Sequence, residues 1–565
     1  MHTVFRSVAL AATLAGLTAA LAVPAAAQSP MQAANTIVMA MPASAVLDDY
    51  FPVQNATNES SNNLQANALM YEPVVLIGPK DTPVYGRSLA QSIVPSQHDQ
   101  VFTIHLNPKW HWSNGTPVTS ADVVYTYDLM AAACKAGAPW SYAQCNSGGI
   151  PNWIKSFAAK GADTVVVTLD APHNAEAFIQ NGLSLILPVP KAVWDKYPNM
   201  NQELKWIEKL SAEPTAPQYK MIDGPFFFGQ AVPNEYYTFL PNARYNGHKP
   251  TIAKLVMQYF ASDEAEFAAL HKGSVNVGYL PNSLYGARAQ LNGQFVLTPV
   301  YGFGFTYLQP NYNPKAANVG PLFSDVAVRI ALQEGIDQKT MLKIADGQGV
   351  LDYNPVPPQP ANPFFDPKAG HPVTFNPAAG RALLLKDGFK PNAQGVMTKD
   401  GRSLAFTLIY TSGNQTYTDW VTLAKEDWAK EGIDVTVEAQ PFDTVLADLS
   451  ETPALGPKWS MLFWGGWGYW SYPSGDAVLG TGSVQWDDYN SAVMNRYINA
   501  TLAPGTPAQE KAAMNAYEAY SVNNVPVIYL PELPSFWEVA PYVHNVISTM
   551  SANGFYYPEY WSISK

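Results

Sequence analysis

The chain has 565 residues, too many for one hydrophobic core and enough for two or three domains. Hydrophobic residues make up 47% and charged residues 14%, which excludes a disordered chain. Asp plus Glu number 45 against 33 Lys plus Arg, and the resulting formal charge of −12 argues against a nucleic-acid partner, which would favour a basic face.

So low a charge content leaves a surface of Ser, Thr, Asn and Gln and suits an acidic exterior, where carboxylates are neutralised. Residues 1–27 read as a cleaved secretory signal. Arg6 supplies the positive start, residues 8–23 the apolar stretch and Ala25, Ala26 and Ala27 the small-residue cleavage site. An N-terminal membrane anchor is the alternative; the Ala-rich, short apolar stretch favours cleavage. No Cys lies near that site, so no lipid attachment is expected, and the mature chain is expected to begin near Gln28, outside the cytoplasm. No other stretch approaches the ~20 apolar residues needed to span a bilayer.

Residues 36–41 (TIVMAM) are a strand candidate. Residues 48–63 form a polar loop rich in Asn and Ser. Residues 64–73 then read as a short helix that stops before Pro73. Residues 101–106 alternate Val, Thr and His with Phe, Ile and Leu, the pattern of a strand with one buried face. Trp112-Ser113-Asn114-Gly115-Thr116-Pro117 follows, and Asn-Gly marks a turn that needs positive φ. Thr119 stands where a helix N-cap belongs, with the Asp122 carboxylate in the first turn. Val123, Tyr127, Met130 and Cys134 recur at helical spacing and should pack inward.

The run from Leu89-Ala90 and Ser92, through Phe102 and His105-Leu106, to Trp112–Pro117 and Thr119-Ser120-Ala121-Asp122-Val123-Val124-Tyr125 resembles the signature of family 5 extracellular solute-binding proteins. These are the oligopeptide-, dipeptide- and nickel-binding receptors of ABC importers. The resemblance implies an α/β, two-lobed periplasmic binding protein fold with a hinge and an additional small domain, the three-domain, type II form. It divides the chain into a first segment of lobe I at 28–78, the small domain at 79–189, a second segment of lobe I at 190–306, lobe II at 307–525 and a return to lobe I at 526–565. It places Asn58, Asn62 and Asn63, in the loop before the first helix, at the border of the ligand cleft. A solvated loop is the alternative for each.

Cys134 and Cys145 are the only cysteines, and in an oxidising compartment they read as one disulfide. It should staple the loop after the signature helix, with a stabilisation of about 2–3 kcal/mol. The strand 164–169 and a helix around 175–181 complete the small domain. Gly224-Pro225-Phe226 and Asn242-Ala243-Arg244-Tyr245-Asn246-Gly247 resemble a further family run. A strand at 252–260 is followed by a helix opened by Ser262, acidic at its start and basic at its end, and closed by Gly273. The family places a strand at 274–277. Residues 306–311 look like the crossing into the second lobe. Asp325 and Asp337 should cap two helices, and Phe323-Ser324-Asp325-Val326 through Asp337 is a second strong match. The strand 405–410, a helix carrying Tyr417, Trp420, Val421, Ala424 and Trp428 that ends at Gly432, and the strand 433–439 give β-α-β order and a mostly parallel sheet.

Residues 461–472 read MLFWGGWGYWSY. Glycines here let the backbone turn and approach a ligand closely. Trp464, Trp467, Tyr469, Trp470 and Tyr472 offer flat surfaces, each with one polar atom, suited to a cleft closing on a partly apolar ligand. Plain core is the alternative for some of these rings. In peptide-binding relatives this segment carries an Asp for the ligand's ammonium group; here the alignable residue is Trp470, and Asp476 is the nearest carboxylate. Residues 351–366 contain no Arg or Lys to fix a ligand carboxylate. These two departures leave a longer peptide held by its backbone, or an oligosaccharide or other neutral polar solute, as the expected ligand. The nine His are scattered without a metal-ligand spacing, so neither a metal nor a cofactor is expected.

The expected function is therefore that of an extracytoplasmic receptor, a monomer working with a membrane permease and no nucleic acid. Two other classes stand beside it. A secreted glycan hydrolase would use carboxylates such as Asp487, Asp488 and Glu532. A scaffold would use the fold without a ligand.

Overall fold

The computed structural model describes residues 30–41, 47–78, 82–291, 293–316, 319–449, 459–469, 471–481, 488–551 and 553–564. The secretory segment expected at residues 1–27 lies outside the described residues, as do Trp470 and Asp487.

Three sheets carry the fold. The largest has seven strands in the order Val296–Val300, Ser535–Val539, Val277–Leu280, Thr36–Ala40, Lys254–Gln258, Tyr236–Pro241 and Phe226–Val232. Thr36–Ala40 runs parallel to both of its neighbours, and the outer strands pair antiparallel. A five-stranded sheet has the order Asp434–Gln440, Ala405–Thr411, Met461–Phe463, Tyr307–Pro310 and Ile528–Tyr529. Its first three strands are parallel and the last two antiparallel. A four-stranded antiparallel sheet, Ala90–Ser96, Val101–Leu106, Thr164–Leu169 and Ile154–Ala159, stands apart. The chain passes from the large sheet to the five-stranded one between Val300 and Tyr307 and returns between Tyr529 and Ser535.

Local chemistry fixes the elements as expected at most positions. The Asp122 carboxylate accepts from both the N–H and the hydroxyl of Thr119, at 2.8 and 2.9 Å, and from the Lys191 N–H at 2.8 Å. It thereby holds the start of the helix Ser120–Ala133 against the next segment. Asp325 and Asp337 accept from Ala327 N–H and Thr340 N–H and open the helices Val326–Glu334 and Gln338–Ile344. Asn414 caps Gln415–Glu431, and Gly432 ends it at φ 88°. Trp420 and Trp428 of that helix are fully buried and donate to the Met341 and Leu332 carbonyls. Cys134 and Cys145 form the disulfide, closing the loop after Ser120–Ala133.

Three elements differ from expectation. The helix expected at residues 64–73 spans Ser61–Met70, because the Ser60 hydroxyl accepts from the Asn63 N–H. The strand expected at 274–277 is found at Val277–Leu280. The Asn276 side chain bonds the Val38 N–H and the Thr36 carbonyl, standing in for the ladder there. The helix expected at 175–181 is α-helical only over Ala175–Ala177 and widens into a looser turn over Phe178–Gly182. Gly182 sits against Gly148, where an added Cβ would lie 2.5 Å from the Gly148 carbonyl oxygen.

Candidate functional site

The parallel strands of both large sheets end on one gap. Beyond Thr36–Ala40 comes Met41, beyond Val277–Leu280 come Pro281 and Asn282, beyond Ala405–Thr411 come Ser412 to Asn414, and beyond Met461–Phe463 comes Trp464. All line a cavity of about 670 Å³, within the range of about 300–1,000 Å³ typical of ligand sites. The N-terminal turn of Ser61–Met70 and the segment 553–556 close one end, and the crossings contribute Thr306, Leu533 and Pro534.

The segment after Met461 is shaped by its glycines. Gly465 and Gly466 sit at φ 119° and 127°, a region open to glycine and closed to most side chains. A Cβ on Gly466 would lie 2.3 Å from the Phe305 carbonyl oxygen. The chain then pairs antiparallel with the first crossing, Phe305 against Trp467 and Gly304 against Gly468. Gly468 faces open space.

This geometry sorts the rings that the sequence groups together. Trp464 and Trp467 are half-buried and line the cavity. The Trp464 indole N–H is buried with no protein partner. Tyr469 touches the cavity but is 4% exposed, and its hydroxyl donates to the Pro355 carbonyl at 2.8 Å. Tyr472 does not line the cavity. It is fully buried, its hydroxyl donates to the Thr501 carbonyl, and its backbone is held by the Asn181 side chain at 2.6 and 2.9 Å. Asp476 also stays away: it accepts from the Gly148 N–H at 3.3 Å and from the Ser474 hydroxyl. Burial raises its pKa.

Of the three asparagines, Asn62 lines the cavity. Asn58 and Asn63 do not. Both bond Asp48, and Asn63 also donates to the Asn58 carbonyl, so together they fix the loop behind the helix. Glu532 and Asp488 are likewise not lining residues. The Glu532 carboxylate accepts from the Thr306 N–H at the crossing, and Asp488 is exposed.

Several lining residues carry no motif. Asp263, which reads from sequence as helix grammar, and Glu59 are the only Asp or Glu lining the cavity among the described residues, and no described Lys, Arg or His lines it. Burial pushes both carboxyls up to about 7, and a hydrogen bond from Gln144 partly offsets this at Glu59. Tyr417, Trp420 and Trp537 add rings, and Thr411 Oγ1 and Asn282 Oδ1 are buried polar atoms with no protein partner. The signal that finds these residues is positional: ligands of open α/β sheets lie outside the carboxyl ends of parallel strands. Among the described residues no group of three or more His, Cys, Asp or Glu is placed to hold a metal ion. The site can therefore enclose, stack on and hydrogen-bond a solute, and it attracts positive charge more than negative.

Residues 85–489 match the family described as bacterial extracellular solute-binding proteins, family 5. The chain is 27% identical over 387 residues to protein XP55 of Streptomyces lividans, the match covering 66% of this chain and 64% of that protein. It is 23% identical over 420 residues to the oligopeptide-binding protein AppA of Bacillus subtilis, covering 73% and 69%. The solved structure of AppA with a nonapeptide shares the fold at a TM-score of 0.81 and 18% identity, over 94% of this chain and 99% of that one. NikZ of Campylobacter jejuni, solved with Ni(L-His), shares it at 0.73 and 18%, over 94% and 99%. The chain belongs to the family 5 extracellular solute-binding proteins of bacteria.

Proposed function

We propose that the protein is the extracytoplasmic receptor of an ABC importer, a monomer that encloses a peptide-like ligand by hinge closure and delivers it to a membrane permease. The observation that carries this reading is the cavity itself, whose walls come from two separate sheets joined by two short crossings. Rotation about residues 300–307 and 529–535 would open and close it with little change inside either half. Gly465, Gly466 and Gly468 supply backbone without side chains, as main-chain recognition of an extended peptide requires. AppA, with the same fold, is named for oligopeptide binding.

Among the described residues no lining side chain is cationic, so a peptide's terminal carboxylate finds no fixed charge from them. The rings of Tyr417, Trp464, Trp467 and Trp537 favour a second reading beside the first, an oligosaccharide or other neutral polar solute stacked on them.

Mass spectrometry of whatever the denatured, purified protein releases, followed by calorimetry with alanine-based peptides and with oligosaccharides, tests both. A peptide should bind with a Kd at or below about 1 µM. Amidating its C-terminus should change that value by less than about threefold, since no partner charge is lost. Binding of sugars alone would replace the first reading by the second. Consumption of the ligand would indicate a hydrolase, and a chain that no solute stabilises would indicate a scaffold.

A further inference from the structure

A second cavity, of about 80 Å³, lies behind the helix Ser61–Met70. Glu59, Leu64, Gln144, Asn553 and Phe555 line both it and the main cleft, so the two adjoin. A single water needs only ~10–15 Å³ of such space. The smaller cavity therefore suits the end of a side chain.

Its lining divides by chemistry. Leu64, Ala68, Val75, Leu185 and Leu187 are apolar, whereas Gln54, Asn67, Glu72 and Glu559 bring polar groups. Gln54 is 1% exposed, and neither its Oε1 nor its Nε2 has a protein partner. Asn67 Oδ1 and Glu559 Oε2, on residues 1% and 2% exposed, are unpartnered as well. Buried polar groups are almost always hydrogen-bonded, so three unpartnered acceptors, Gln54 Oε1, Asn67 Oδ1 and Glu559 Oε2, against one unpartnered donor, Gln54 Nε2, on residues around one space point to a mainly donor-bearing occupant.

The charge balance specifies the donor. Three carboxyls line the space, Glu59, Glu72 and Glu559. Arg87 lies 3.3 Å from Glu559 Oε1 and is stacked over Tyr557 at 4.1 Å, and Lys109 acts with it on Glu72; neither is among the lining residues. Glu72 accepts from the Tyr245 hydroxyl at 2.5 Å, and Glu59 from Gln144. Burial raises Glu59 and Glu72 to about 7 and Glu559 to about 8, and the nearby cations offset this only in part at Glu72 and Glu559. A primary ammonium has three donors and no acceptor, and an alkyl stem matches the apolar lining.

We infer that this side pocket receives the alkylammonium end of a cationic ligand, such as a lysine side chain, while the rest of the ligand lies in the main cleft. The inference rests on the peptide-receptor reading above and gives that receptor a preferred ligand class.

Calorimetry with matched peptides carrying lysine or norleucine at one position tests it. The lysyl peptide should bind about tenfold more tightly, the scale of one charge-assisted hydrogen bond. That ratio should fall below about threefold in Gln54→Leu and in Glu559→Gln, the latter preserving shape should the former not fold. Equal affinities, or a preference for norleucine, in the wild-type protein would overturn the pocket and leave the peptide receptor standing. If no peptide binds, the receptor reading fails and n-butylammonium decides the pocket. A rise in Tm at tens of millimolar that is lost in Gln54→Leu supports it, and no rise in the wild type overturns it.

Discussion

Between Met461 and Tyr472 the rings look equivalent in sequence, and the structure shows why they are not. Two consecutive glycines at positive φ break the alternation that would otherwise tell inward from outward. Trp464 and Trp467 emerge on the cavity, whereas Tyr472 is carried on into the body of the protein. Trp467→Ala should accordingly weaken ligand binding by about 1–3 kcal/mol while shifting Tm little. Tyr472→Ala should cost about 3–5 kcal/mol of stability, as loss of a fully buried ring does, with no selective loss of affinity in the protein that remains folded. Calorimetry and thermal denaturation on the two variants separate these outcomes. Glu59 and Asp263 are not legible as cleft residues in the sequence for a different reason. A carboxylate near a helix start is ordinary grammar, and only the fold decides whether it also looks into a cleft.

Elements were more legible than sites. The caps at Asp122, Asp325, Asp337, Ser262 and Gly432 are local chemistry within a few residues, and each appears where its sequence places it. Strand Val277–Leu280 and the turn Phe178–Gly182 depart from the sequence expectation because partners distant in sequence decide them: Thr36 and Val38 for the first, Gly148 for the second. The same kind of distant partner ties the four-stranded region to the segment between strands Met461–Phe463 and Ile528–Tyr529. Asn181 bonds the backbone of Ser471 and Tyr472, Gly148 donates to Asp476, and the Asn174 N–H donates to the Leu502 carbonyl. Under the proposed hinge closure, these bonds would favour the present separation of the two halves. The double variant Asn181→Ala, Asp476→Ala should therefore populate more open shapes, with a larger radius of gyration by solution scattering. Its Kd should rise by up to about tenfold. An unchanged radius and affinity would mean that the bonds persist through opening.

At the scale of the molecule, the sparse charge noted in the sequence acquires a physical consequence. Asp49, Glu72, Asp263, Glu532 and Glu538 are raised by burial to about 7, Glu518 to about 8, and Glu266 and Glu431 to about 9. In the unfolded chain such groups titrate near 4. Between those values the folded state binds more protons than the unfolded one, so stability falls as pH rises. Each contribution is complete below about pH 4 and is lost by pH 7 to 9. Asp325, lowered by its bond to Lys399, works in the opposite sense but is one group among many. Thermal denaturation from pH 4.5 to 8.5 should show Tm highest at the acid end and declining through neutrality. A Tm that climbs with pH would contradict it. The expectation of a protein suited to acid surroundings thus gains a mechanism that composition alone does not supply.

The fastening of Asn181, Gly148 and Asn174 onto the far half has one more effect, on time and not on fit. Under the proposed hinge closure, a solute in the cleft would leave only when the two halves part, and these bonds lie away from the residues that line the cavity. Dwell time would then be governed partly by those bonds, at residues remote from the solute.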